Sequence, residues 1–156
     1  MDNPSAPRLS VAARARYGLA EHGFGPLLAL AAILTDGAAG VALHYGLISF
    51  RTHLALSVVA TAIVTWAGIQ AIRRNLDVPP VRRAALLLLS LTFSQLLLGV
   101  GSYMNFLVPE TLEWFPVAHS VMGIAALGAA IALAATVYRR LHPQDAELAR
   151  GGVVIA

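Results

Sequence analysis

A chain of 156 residues that is 58% hydrophobic and only 12% charged, with a mean hydropathy of +0.71, cannot cover its own surface with polar groups in water, because soluble domains carry about a quarter charged residues. Cysteine is absent, which excludes disulfides, thiolate-ligated metals and Cys nucleophiles. The net charge of +3 does not point to nucleic acid: all eleven basic residues are arginines, set in the short segments between apolar runs rather than along one polar face.

Residues 1–24 read as a polar cytoplasmic arm, with a short interfacial helix expected across Leu9–Leu19. Pro4, Pro7, Arg8, Arg14 and Arg16 leave no apolar stretch of the kind a secretory signal needs. Four apolar runs follow, Gly25–Gly46, Thr52–Ile72, Ala84–Phe106 and Pro116–Tyr138, each near the roughly 20 residues a helix needs to span the hydrocarbon core. They are long, rich in Ala and Leu, and lack period-2 alternation, so helices are expected rather than strands. Asp77-Val78-Pro79-Pro80 breaks the chain between the second and third runs, and Pro109 and Pro116 bracket the third connection, where Trp114 and Phe115 suit an interfacial position. Residues 141–156 read as a cytoplasmic tail.

Arginine placement predicts orientation. Arg8, Arg14 and Arg16 precede the first run, Arg73, Arg74, Arg82 and Arg83 lie between the second and third, and Arg139, Arg140 and Arg150 follow the fourth; Arg51 alone lies on the other side. By the positive-inside rule, both termini and the middle connection are cytoplasmic. The expected fold is an all-α integral membrane protein of the plasma (inner) membrane, with residues 25–140 forming an up-down-up-down bundle of four transmembrane helices.

Polar residues inside such spans need an account. His22 and His142 are expected at the inner surface, solvated. His53 opens the second span and His119 lies one turn into the fourth, which places two imidazoles at similar depth on diagonally facing helices. Ser57 and Gly123 follow them at i+4, Gly99 and Gly101 on the third span would let a flat group approach the backbone, and Arg51 is close enough in sequence to pair with carboxylates of such a group. Two readings fit this spacing equally: axial ligation of a haem iron, or interhelical hydrogen bonds between polar side chains. His44 adds a third imidazole near the same end, an interfacial residue or an alternative ligand. Asp36 falls mid-span, where a bare carboxylate costs on the order of 3 kcal/mol; it is expected to face the bundle or a partner, hydrogen-bonded near Thr35 or protonated, with a proton relay or a quinone-site acid as the functional reading. Gln95 is an interhelical link or a cofactor contact.

The stretch Ser94-Gln95-Leu96-Leu97-Leu98-Gly99-Val100, followed by Val108-Pro109 and Ala118-His119, resembles the haem A synthase family, in which a span with a Gln-x-x-Leu-Gly pattern precedes a Pro-containing loop and a His-bearing span. Asp36-Gly37-Ala38-Ala39-Gly40-Val41 resembles the Gly-Ala-rich end of a first span of that fold, and His53 matches the ligand that opens the second. The resemblance covers about Gly25 to Arg140 and corresponds to one four-helix half of the family, closer to the C-terminal, haem b-binding half. It implies iron ligation by His53 and His119, with Arg51, Gly99, Gly123 and Gln95 around a haem b, or a haem O or haem A. Two departures stand out. The catalytic half carries Glu three residues before its second-span histidine, where this chain has Phe50, and the family has Arg directly after that histidine, where this chain has Leu54. Three functions are therefore weighed: a cytochrome b-like electron carrier within a respiratory membrane assembly, a half-length haem A synthase-like oxidoreductase acting as an oligomer, and a cofactor-free accessory subunit packing through Gly37, Ala38, Ala39 and Gly40. Lipid is the solvent in all three, with other membrane subunits or a second copy as partners and a quinone as candidate small-molecule partner.

Overall fold

The computed structural model describes residues 23–107 and 114–141. The expectations for the Leu9–Leu19 helix, His22, His142, the loop around Pro109 and the tail lie outside the described residues. Within them the chain forms four helices, α1 (Phe24–His44), α2 (Phe50–Arg74), α3 (Pro79–Leu107) and α4 (Phe115–Leu141), with no strand among the described residues. All four are long and apolar enough to cross a membrane, and the chain reads as a multi-pass membrane protein.

Element boundaries follow local chemistry. The connection from α1 to α2 turns at Gly46, whose φ of 71° only glycine adopts without cost. Ser49 then caps α2, its Oγ accepting from Thr52 N–H at 3.1 Å. Arg51 therefore lies in the first turn of the helix and not in a loop. α3 begins at Pro79, ahead of the apolar run expected to start at Ala84. Proline at a helix start loses no hydrogen bond, so the Pro79-Pro80 pair opens the helix that it separates from α2.

The helices form a ring in which each packs on its two sequence or terminal neighbours, and packing is denser within the hairpins α1–α2 and α3–α4 than between them. On α1 and α2, Gly25 meets Ala67, Asp36 meets Ser57 and Gly40 meets His53. Residue numbers fall on one helix as they rise on the other. The same holds for α3 and α4, where Gln95 meets Gly123, Gly99 meets His119 and Gly101 meets Phe115.

The apolar core occupies one end of this ring. Ala29, Ala32, Ala60, Val64, Ala67, Ala71, Val81, Ala85, Leu88, Ala129, Ala130, Leu133 and Val137 form a single buried cluster. Small residues allow close helix approach, as membrane bundles require: a Cβ on Gly68 would stand 2.8 Å from Leu89 Cδ2. A polar clasp closes this end. Buried Asn75 donates to Ala71 C=O at 2.8 Å and accepts from Arg140 Nη1, while Arg140 Nη2 lies 3.6 Å from Asp77. Arg73, Arg74, Arg82, Arg83, Arg139 and Arg140 all belong to the helix ends that meet here, and we refer to this as the arginine end.

Candidate functional site

The opposite, histidine end is built differently. His53, in the first turn of α2, lies against α1, with its Cε1 3.6 Å from where a Cβ on Gly40 would stand. Its Nδ1 is 4.0 Å from Asp36 Oδ1, and the two side chains are 14% and 19% exposed. The same carboxylate oxygen accepts a 2.5 Å hydrogen bond from Ser57 Oγ. His53 Nδ1 is buried and has no hydrogen-bond partner in the described structure. Asp36 thus faces the bundle, and its partner is Ser57 across the hairpin rather than Thr35, whose hydroxyl turns back to Ala31 C=O at 2.9 Å. Adjacent residues on a helix do not face each other.

His119 lies against α3. Its Nδ1 is 3.0 Å from the Gln95 carbonyl oxygen, the geometry of an Nδ1–H donor on a backbone acceptor. A Cβ on Gly99 would come within 3.1 Å of the ring at Cε1, so this position has to be free of a side chain for the imidazole to rest there. The Gln95 side-chain Nε2 is 3.0 Å from where a Cβ on Gly123 would stand.

The two arrangements are the same device used twice. In each hairpin a polar residue stands four positions before a glycine on the first helix (Asp36 and Gly40, Gln95 and Gly99). In each, a histidine stands four positions before a small residue on the second (His53 and Ser57, His119 and Gly123). The glycine receives the imidazole and the polar residue meets the small one. This repeat is present in the sequence as paired i, i+4 spacings. It gains meaning only when the hairpins are folded side by side.

The heights of the two rings also match. Phe50 stacks on Tyr103 with centroids 4.3 Å apart. Three residues further along α2, His53 is level with about Val100 of α3, next to the Gly99 that receives His119, so the two histidines lie within about one helical turn of each other along the bundle.

Other expected site residues are placed less centrally. Arg51 is exposed, and a separation of two residues on one helix turns it about 200° away from His53, so the fold does not bring it to the imidazole. His44 ends α1, is exposed and meets Tyr45 edge-on at 5.3 Å. Gly101 receives the Phe115 ring and not a site group. Gly37 has open space around it and Ala38 is exposed, while Ala39 is buried. No cluster of three or more His, Asp or Glu side chains suited to a metal ion occurs among the described residues.

No protein-family model, curated protein or solved structure matches this chain.

Proposed function

We propose that this chain binds a b-type haem in the plasma membrane, with His53 and His119 as its two axial ligands, and carries electrons within a larger membrane assembly. The supporting observation is the repeated hairpin device. It brings two imidazoles to within about one helical turn of the same height on diagonal helices, α2 and α4. Nδ1 of His119 donates to a carbonyl of the preceding helix and Nδ1 of His53 lies 4.0 Å from a carboxylate of it, and a second-sphere partner at Nδ1 is typical of metal-ligating histidines. That leaves Nε2 of each ring as the ligating atom. A haem held by two histidines supplies a one-electron centre with no open iron position, which suits electron transfer.

The resemblance of Gln95-Leu96-Leu97-Leu98-Gly99 to the haem A synthase pattern adds to this reading, since Gln95 and Gly99 are the residues that meet His119. In the catalytic half of that family a Glu precedes the second-span ligand by three residues. Phe50 stands there in this chain, stacked on Tyr103, and cannot move a proton. Electron transfer is therefore favoured over haem oxidation. A quinone or a neighbouring haem subunit is the proposed redox partner. Gathering of the arginine-bearing helix ends supports an up-down-up-down bundle with both termini cytoplasmic and the histidine layer toward the external face.

The test is the visible spectrum of the protein purified in mild detergent with its native lipids. Sharp reduced α and Soret bands are expected. Each of His53→Ala and His119→Ala abolishes them, whereas His44→Ala leaves them in place. A spectrum that survives either of the first two substitutions removes this ligand assignment.

A further inference from the structure

We infer that Asp36 is a positioning residue for His53, and that the two hairpins present chemically unequal imidazoles: one backed by a carboxylate, the other by a backbone carbonyl. Three observations meet at one place. Asp36 is a carboxylate in the middle of an apolar helix and turned inward, at a position where an unsupported charge is expensive. His53 Nδ1 is a buried nitrogen with no hydrogen-bond partner among the described residues, and a buried polar atom left unpaired is costly. Asp36 Oδ1 lies 4.0 Å from this nitrogen across the hairpin. A shift of about 1 Å in either side chain brings the pair into hydrogen-bond range. Ser57 already donates to the same oxygen at 2.5 Å, and this holds the carboxylate toward α2 instead of letting it turn to lipid.

The repeat supports the assignment. At the matching place in the second hairpin, His119 Nδ1 has its acceptor at 3.0 Å, the Gln95 carbonyl oxygen. Equivalent imidazoles therefore both direct Nδ1–H to the preceding helix, and the supporting atom is an anionic oxygen in one hairpin and a neutral one in the other. A hydrogen bond from Nδ1–H to a carboxylate raises the donor strength of Nε2 more than one to a carbonyl. His53 is then the stronger electron donor of the two. Ser57 and His53 share one carboxylate oxygen, so the three residues do not form a nucleophilic relay. The serine steadies the acid.

This inference rests on the haem reading for its redox consequence but not for its geometry, so the test has two arms. The first uses haem-free protein in micelles and reads the imidazole ¹⁵N resonances. His53 is expected as the Nδ1-protonated tautomer in the wild type and in Asp36→Asn, where an acceptor oxygen remains, and as a tautomer mixture in Asp36→Leu. His119 is unchanged throughout. The second arm reads the reduction potential of haem-loaded protein. It rises in Asp36→Asn through loss of the anionic support and rises less in Ser57→Ala. A wild-type tautomer in Asp36→Leu, or an unmoved potential in Asp36→Asn, overturns the proposal. A wild type without Soret absorbance removes the haem reading alone, and the tautomer arm then decides the role of Asp36.

Discussion

The two ends of this bundle solve the problem of packing four apolar helices in opposite ways. At the arginine end the interior is filled by alanine, valine and leucine, with Val64, Val81, Leu88 and Leu133 almost completely buried, and a charged clasp seals the rim through Asn75 and Arg140. At the histidine end no comparable apolar cluster forms among the described residues. The helices are spaced by Asp36, Ser57, His53, Gln95 and His119 and by the glycines that receive them. In lipid there is no hydrophobic drive between helices, so stability comes from close van der Waals contact and from satisfied polar groups. The first end uses the former and has the character of a scaffold. The second relies more on polar contacts, with His53 Nδ1 left without a hydrogen-bond partner among the described residues.

This contrast can be broken or sharpened by substitution. The largest effect is expected from Leu88→Ala, which leaves a cavity at a fully buried position and should lower unfolding stability by about 2–5 kcal/mol. The change is read by denaturant titration in micelles, with the histidine layer and any haem spectrum kept under native conditions. Equal damage to both ends would mean that they are one cooperative packing unit. Gly99→Val is the counterpart at the other end: its new atoms meet the His119 ring, already 3.1 Å from a bare Cβ. A destabilisation of about 1–3 kcal/mol from overpacking is expected, together with, on the proposed haem reading, loss of most haem absorbance. A normal spectrum in this variant would show that His119 need not rest on α3 to function. Smallest, and opposite in sign, is Thr92→Val. Thr92 Oγ1 is buried with no hydrogen-bond partner in the described structure, so replacing the hydroxyl by a methyl group should stabilise the haem-free protein by about 1 kcal/mol. A loss of stability instead would assign that hydroxyl a partner in the histidine half.

Much of the fold is legible in the residue order. The four spans are recovered to within a few residues, except that α3 starts five residues early because Pro79-Pro80 suits a helix start as well as a break. His53 and His119 stand out as polar residues at matching places in two spans; Gly99, expected to admit a flat group, instead receives the His119 imidazole, and Gln95 links α3 to α4. The partnership of Asp36 with Ser57 and His53 was not legible in the same way. Thr35 is adjacent to Asp36 in sequence yet faces elsewhere, and the residues that meet the carboxylate lie on the next helix. Arg51 shows the converse error: it is near His53 in sequence, yet the helical turn directs it to another face.

Composition and the spacing of arginines and prolines suffice to specify four apolar helices and their breaks, because hydrophobic length and backbone hydrogen bonding are local properties of a segment in lipid. Which side chains share a height, and which polar group lies beside each imidazole, depends on the rotation and register of one helix against the next. Those are set by where glycines permit close approach, and they exist only once the hairpins are packed.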